Sequence, residues 1–364
     1  MQKMTWSQVC ARRLQRHFLD VPAEKAPADV VRAMAATHAQ VMSAAELGVG
    51  LRIEGATRQD LRDALWRDET VVKTFGPRGT VHLVPSADLP MWLGALTEAP
   101  SPHPITFMTP EQADEVVEAV RDALLDDELT IDELDDAVVG RTGAWAGERV
   151  MPAFQTYWPR WRQVMHLAAH RGALRFGAGR GRKVTYRGLP GFAPMEGRAA
   201  LRALVPHYLN AYGPATPEMF AHWLNAPRPW ARELFAEVDL HQVEVEGVAA
   251  YSTDLEVTDA EPRGVRLLPY FDNYSYVVGN HPRELLYPGA ATERLRGNFQ
   301  VLLVDGVAAG LWHHKRSGRK MTVVVEPLRS VDMDQLDAQV TRVGEILEAV
   351  PTWSIGEVTV GGHA

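Results

Sequence analysis

Three times along this chain, a group of amphipathic helices is followed by two short apolar strands that flank a turn. The first turn is Gly76-Pro77-Arg78-Gly79, the second runs from Gly177 to Arg182, and the third is Glu246-Gly247. The turns fall roughly a hundred and then about seventy residues apart, a spacing that suits small domains rather than solenoid repeats. Several helices followed by a hairpin are typical of a winged-helix unit. The sequence therefore predicts an α+β protein with three such units in tandem.

The pattern changes after Val265, where short apolar strands become frequent. These strands predict a C-terminal antiparallel sheet or partial barrel, with one helix before the last strand. We therefore divide the chain into a first unit at 1–100, a second at 101–192, a third at 193–262 and a β-rich region with a helix at 263–364.

The length and composition of the chain agree with several units in one chain. At 364 residues, the chain is too long for one ordinary domain and suits about two to four. Its apolar content of 46% and charged content of 23% are typical of a water-soluble protein with a packed core. The apolar runs are shorter than a membrane span, and the amino terminus has no signal-peptide core. With Cys10 as the only cysteine, intramolecular disulfides and cysteine-rich metal clusters are excluded, and we expect a cytoplasmic protein.

The charged residues are distributed unevenly. A net charge of −8 argues against indiscriminate nucleic-acid binding, but clustered bases can still form a local basic surface. In the second hairpin, glycines would let the backbone approach a phosphate closely, and arginines would make bidentate hydrogen bonds to the phosphate oxygens. A flexible solvated loop explains the same composition, and both interpretations stay open. The candidate DNA contacts here are Arg175, Arg180, Arg182 and Lys183.

Two other turns are basic. His313 to Lys320 joins two apolar strands, and its Lys315 and Arg316 could enter a DNA groove or simply keep a sheet edge soluble. The sequence does not separate these interpretations. Arg78, in the turn of the first hairpin, is a further candidate DNA contact.

The stretch Thr37-His38-Ala39-Gln40-Val41-Met42 lies between two predicted helices. In a continuous helix, His38 and Gln40 would lie about 200° apart, whereas in extended backbone residues i and i+2 point to the same side. The pair can therefore form a site only where the chain leaves helical geometry. Spacing alone favours a helix-to-helix turn whose polar residues satisfy backbone groups.

Asp272 and Asn273 follow a short apolar strand and are flanked by aromatic residues. We favour a turn in which Asp272 accepts backbone N–H groups, over a polar cluster that lines a central cleft. The chain has no dinucleotide-binding, phosphate-loop, HExxH or Gly-x-Ser-x-Gly motif, and the adjacent His313 and His314 are poorly spaced for one metal. We expect neither a metal nor an organic cofactor.

Taken together, these segments resemble the winged-helix DNA glycosylases of the AlkZ and YcaQ family. The likeness covers nearly the whole chain. It rests on the His-x-Gln stretch and on four further segments: Arg78 to Leu83, Leu268 to Tyr274, Val301 to Gly306, and Gly310-Leu311-Trp312.

The resemblance implies which residues are catalytic. In that family the motif is two glutamines around one apolar residue, or Gln and Asp in the YcaQ branch. The matching positions here are His38 and Gln40, and a His-apolar-Gln form occurs among resistance-associated members. Val41-Met42 stands where Asp-Pro is usual.

The resemblance also implies a function. It predicts a monofunctional DNA glycosylase that hydrolyses the N-glycosidic bond of bulky N7-alkylguanine in double-stranded DNA. Interstrand crosslinks are candidate substrates, and self-resistance to a DNA-alkylating natural product is the implied role. We expect a monomer whose units form a C-shaped DNA-binding cleft. The alternative is a non-catalytic winged-helix DNA-binding protein, either a transcriptional regulator or a lesion-binding relative, which would release no base from alkylated duplex DNA.

Overall fold

The computed structural model describes residues 2–100, 104–153, 155–257, 261–275 and 282–360. Several helices begin where the sequence offers a threonine cap. The side chain of the capping threonine accepts a backbone N–H of the first turn, and a Gln, Asp or Glu three residues later bonds back to the cap. These caps satisfy amide groups that have no partner within the helix. They are Thr5, Thr57, Thr109 and Thr130.

The first region contains a three-stranded sheet in the order β2–β4–β3, in which β3 and β4 form the first predicted hairpin. Its elements are β1 (Gln2–Met4), α1 (Trp6–Arg16), α2 (Pro27–Ala33), β2 (Thr37–His38), α3 (Met42–Gly50), α4 (Arg58–Trp66), β3 (Val71–Phe75), β4 (Val81–Pro85) and α5 (Leu89–Glu98).

The second region has a sheet in the order β5–β9–β8 and a separate two-stranded hairpin, β6–β7. A 3₁₀ segment at Arg160–Val164 leads directly into an α-helix that begins at Met165. The elements are α6 (Pro110–Ala123), β5 (Glu128–Thr130), α7 (Ile131–Thr142), α8 (Ala144–Gly147), β6 (Arg149–Pro152), β7 (Tyr157–Pro159), α9 (Met165–His170), β8 (Arg175–Phe176) and β9 (Thr185–Arg187).

The third region contains three helices and the third predicted hairpin, with β1 added parallel to β10 in the order β1–β10–β11. The amino-terminal strand therefore belongs to a sheet formed much later in the chain. The elements are α10 (Gly197–Tyr212), α11 (Pro217–Leu224), α12 (Arg228–Phe235), β10 (His241–Val245) and β11 (Val248–Ser252).

The C-terminal region is a five-stranded sheet in the order β12–β13–β14–β15–β16. Its first four strands are antiparallel, but β15 and β16 are parallel, so the prediction of a wholly antiparallel sheet is wrong at this edge. The reason is α15, which carries the chain back before β16 and so lets β16 run the same way as β15. The elements are β12 (Val265–Leu268), α13 (Arg283–Leu286), α14 (Ala290–Arg294), β13 (Gln300–Val304), β14 (Val307–Ser317), β15 (Lys320–Pro327), α15 (Met333–Ile346) and β16 (Val350–Ile355).

The hydrophobic cores join the regions. One core combines Val30 and Leu65 of the first region with Val116 and Trp161 of the second. Another joins α5 to α10, and a third places residues of α1 and α3 against the C-terminal sheet. The division at 100, 192 and 262 stays a prediction, and its first boundary falls at residues 101–103, outside the described residues. Among the described helices, none has the length and apolar character needed to cross a bilayer.

Candidate active site

The chain leaves helical geometry just before His38. Thr37 and His38 form β2, which pairs antiparallel with β4, and the Ala39 N–H donates to the Val81 carbonyl at 2.8 Å. Ala35 and Ala36 turn the chain out of α2 with φ of 49° and 72°. Left-handed backbone at a residue with a β-carbon is strained and is concentrated at functional sites. The chain is therefore extended at Thr37 and His38, whereas Gln40 lies in a bend just before α3.

Aromatic rings hold the His38 imidazole on two sides. The His82 ring lies edge-on, with centroids 5.2 Å apart and an interplanar angle of 76°. The Phe271 ring lies at 4.5 Å and 32°, and Phe271 itself has a left-handed φ of 59°. Only 9% of His38 is exposed. The imidazole is thus fixed in a packed wall.

Gln40 lies closer to the surface. It is exposed and stands one residue before Val41, which caps α3. Gln40 lies in a bend outside β2, so the strand register that places His38 does not place the Gln40 side chain.

A small cavity lies beside His38. Its volume is about 20 Å³, room for about one water molecule. Arg78 lies in its wall with a φ of 61°, and its guanidinium donates to the Trp223 carbonyl at 2.7 Å. The lining residues come from four separate parts of the chain: His38, Arg78, His82, Tyr212, Trp223, Phe271 and Asn273.

Asn273 fixes the backbone that leads to His38. Its side-chain amide donates to the carbonyls of Met34 and Ala36 and to the hydroxyl of Tyr212, at 3.1, 2.7 and 2.7 Å. The Tyr212 hydroxyl in turn donates to the Met34 carbonyl. Asn273 therefore lines the cavity and holds the strained turn before β2.

Asp272 has a different environment. Its carboxylate accepts two hydrogen bonds from Arg52, both at 2.8 Å, and one from the Tyr274 N–H at 2.9 Å. Arg52 and Asp272 are both buried. The contact with Tyr274 is the turn that the sequence favoured.

Burial favours the neutral forms of His82 and Tyr212 in the cavity wall. Burial, then the neighbouring His38 and Arg78, hold the pKa of His82 well below its usual value. Burial raises the pKa of Tyr212 to about 12. The positive charge at the cavity is carried by Arg78. Within the described ranges, no three His, Cys, Asp or Glu side chains lie close enough to share a metal ion.

The basic residues of the second hairpin differ in their exposure to solvent. Arg175 is buried and binds Glu69 at 3.0 Å, whereas Arg180, Arg182 and Lys183 are exposed. Arg180 binds Glu133, and Lys183 binds Asp132, each at 2.9 Å. These acids come from the start of α7. Part of the positive charge of the second hairpin, here called the wing, is therefore neutralised within the molecule.

The prediction of a turn from His313 to Lys320 is wrong, because the two strands extend further: β14 runs to Ser317 and β15 begins at Lys320. Lys315 and Arg316 are exposed at the end of β14. Burial raises the pKa of Glu46, while Arg62 and Arg316 act to lower it. Arg62 lies 2.6 Å from Glu46.

A model of the family "DNA glycosylase AlkZ-like" matches residues 31–347. The chain belongs to the AlkZ-like DNA glycosylase family. The resemblance found in the sequence is confirmed, the protein is an enzyme of this class, and a regulator is not favoured.

Two relatives of this AlkZ-like glycosylase extend the match. The "Interstrand DNA cross-link repair glycosylase" of Streptomyces sahachiroi is 33% identical over 336 residues, covering 85% of this chain and 88% of the relative. The solved structure "Streptomyces sahachiroi DNA glycosylase AlkZ" matches with a TM-score of 0.81 at 27% identity, covering 98% of this chain and all of that one. The mixed α+β fold is therefore that of AlkZ.

Proposed function

We propose that this AlkZ-like glycosylase hydrolyses the bond between deoxyribose and a bulky N7-alkylguanine in double-stranded DNA, interstrand crosslinks included. Its role is self-resistance to a DNA-alkylating natural product. The name of the Streptomyces relative, a crosslink-repair glycosylase, supports the substrate class. The observation that carries the proposal is the placement of His38 on a strand beside a cavity of water size, with Gln40 exposed two residues later.

The chemistry suits a substrate that is already cationic. Alkylation at N7 gives the guanine ring a positive charge, so the base leaves with the electron pair of its bond to C1′ and needs no strong acid. The sugar then resembles an oxocarbenium ion, which water attacks at C1′. His38 takes the proton of that water through a ring nitrogen, and the Gln40 carbonyl oxygen orients the water and stabilises the positive sugar.

We propose that DNA lies across three winged-helix units in a C-shaped cleft. In the first region, the order α2–β2–α3–α4–β3–β4 places two helices before a hairpin, which is the arrangement of such a unit. Arg182 contacts phosphate from the turn of the second hairpin, and Lys315 and Arg316 do so from the exposed end of β14. Arg78 lies at the cavity itself. Arg180 and Lys183 reach DNA once they exchange their acidic partners for phosphates. Arg175 does not contact DNA but stabilises the wing through its ion pair with Glu69.

The test is release of base from duplex DNA that carries a panel of N7-guanine adducts, from methyl to bulky aromatic groups, with a defined crosslink as a further substrate. We expect His38→Ala and Gln40→Ala each to slow release about a hundredfold, the usual range for loss of a general base or of a charge-stabilising group. His241→Ala and Gln242→Ala are matched controls, because both residues are exposed on β10. Release at the wild-type rate by both site variants would exclude this assignment, and release of N7-methylguanine alone would exclude the bulky substrate class.

A further inference from the structure

His82 faces His38 directly across two strands. The two residues are paired in the register of β2 and β4. The Ala39 N–H donates to the Val81 carbonyl, so residues 39 and 81 form the hydrogen-bonded pair and residues 38 and 82 the non-hydrogen-bonded one. In antiparallel sheets the side chains of a non-hydrogen-bonded pair come closest. The contact between these imidazoles is therefore set by the backbone register.

The tautomer of His82 follows from its hydrogen bond. Its Nδ1 lies 2.9 Å from the Thr80 carbonyl oxygen, which can only accept, so Nδ1 carries the proton. In the neutral ring, Nε2 is then the unprotonated nitrogen. Burial keeps the ring neutral, as the lowered pKa of His82 shows.

The absence of a side chain at residue 76 makes room for this ring. A β-carbon on Gly76 would lie 2.7 to 2.8 Å from three atoms of His82, closer than β-carbons approach other atoms in proteins. On the far side of His38, Phe271 completes the enclosure at 4.5 Å. The orientation of His38 therefore depends on a ring that is fixed by Thr80 and by the space at Gly76.

We propose that His82 is a positioning residue for His38 in base excision, an inference that rests on the proposed role of His38 as the base that accepts the proton of water. His82 holds the His38 imidazole in one orientation. Because His82 is neutral, it does not oppose the positive charge that His38 acquires with the proton. His82 itself neither gains nor loses a proton during the reaction.

The test is a double-mutant cycle read out by single-turnover base release from N7-alkylated duplex DNA. A residue that acts through His38 has no effect once His38 is absent. We expect His82→Phe to slow release about tenfold or more, with DNA affinity unchanged, since misplaced catalytic groups lower rate rather than binding. In a His38→Ala background, the same substitution should cause no further loss.

Companion variants separate positioning from folding. His82→Asn keeps a donor near the place of Nδ1 and should recover part of the rate lost in His82→Phe. Gly76→Ala leaves His82 intact but displaces its ring, and should reproduce the slow release. His170→Phe is the matched control, because His170 is also buried and also contacts another histidine ring. Thermal unfolding of each variant checks that it is folded at the assay temperature.

The outcomes also separate this inference from the proposed function. If His38→Ala releases base at the wild-type rate, the proposed function fails. If His38→Ala is slow but His82→Phe and Gly76→Ala are as fast as wild type, the positioning role alone is wrong. The same conclusion holds if the His82→Phe loss persists in full in the His38→Ala background.

Discussion

At the scale of single residues, the pair Arg52–Asp272 shows what the loop after β12 contributes. Two hydrogen bonds of 2.8 Å join groups that are both buried, and the Arg52 guanidinium also donates to the Gly48 carbonyl of α3. The pair therefore fixes the loop that carries Phe271 and Asn273 against the helix that follows Gln40. The ion pair therefore both stabilises the fold and positions this loop.

We expect Asp272→Asn to destabilise the protein strongly. It leaves the Arg52 charge buried without a counter-charge, which typically costs about 3–5 kcal/mol in the free energy of unfolding. Chemical denaturation measures the change. Glu293→Gln is the matched control, because it breaks an exposed pair with Arg296 and should change stability little. An Asp272→Asn protein as stable as the wild type would show that this pair does not hold the loop.

Part of the site could be predicted from the sequence, because its signal lies within a few neighbouring residues. His38 and Gln40 stand out because they interrupt two helical patterns within a few residues. His82, Tyr212 and Asn273 join His38 only through strand pairing and helix packing between distant segments, which no periodic pattern in the sequence reveals. The position of Asn273 after an apolar strand and among aromatic residues drew attention to it, but its hydrogen bonds to Met34 and Ala36 depend on the fold.

At the scale of elements, the hairpins predicted around the three turns are present as β3–β4, β8–β9 and β10–β11. β2 was missed because two residues are too few to show alternation. β1 was missed because its partner strand lies near residue 243. The parallel edge at β16 depends on where α15 returns the chain, which strand composition does not encode.

Acidic residues of α7 bind the basic residues of the second hairpin. Neutralising one of these acids should therefore free a basic side chain to bind DNA. Lys183 binds Asp132 at 2.9 Å, with both side chains largely exposed. We expect Asp132→Asn to tighten binding to undamaged duplex DNA, since Lys183 then becomes available to phosphate. The slope of log affinity against log salt should steepen by about 0.9 for one added contact. Fluorescence anisotropy between 50 and 200 mM salt measures both quantities.

Two variants test whether the effect belongs to the wing. Asp136→Asn removes the same charge from an exposed position on the same helix and should leave the salt slope unchanged. The double substitution Asp132→Asn with Lys183→Gln should abolish the gain. If Asp136→Asn steepens the slope as much as Asp132→Asn, the effect is one of overall charge and the wing is not involved.

At the scale of the whole molecule, the C-terminal region supports the first. Arg342 of α15 donates to the carbonyls of Gly50, Ile53 and Ala56, which follow or end α3. β1 leaves the first region to join the sheet of the third, and a shared core joins α5 and α10. Since each region completes another, the cavity at His38 is a property of the assembled chain.

The buried histidines predict how this assembly responds to acid. Burial lowers the pKa of His170 from 6.5 to about 3, with a smaller effect of His166 in the same direction. In the unfolded chain this histidine takes a proton near pH 6.5, so between these values the unfolded state binds more protons than the folded state. The free energy of unfolding contributed by neutral His170 is therefore complete above pH 6.5 and is lost as the pH falls towards 3. The loss amounts to about 1.4 kcal/mol for each pH unit within that window.

We therefore expect His170→Phe to make the acid dependence of stability shallower by about 1.4 kcal/mol per pH unit between about pH 5.5 and 4. Urea denaturation at a series of pH values gives the slope. This readout is independent of any constant cost of the substitution, including loss of the hydrogen bond to the Phe75 backbone, because such a cost shifts the whole curve without tilting it. His241→Phe, at an exposed position on β10, should keep the wild-type slope. Equal slopes for His170→Phe and the wild type would mean that His170 is already able to take up a proton in the folded protein, and that the core around it admits charge.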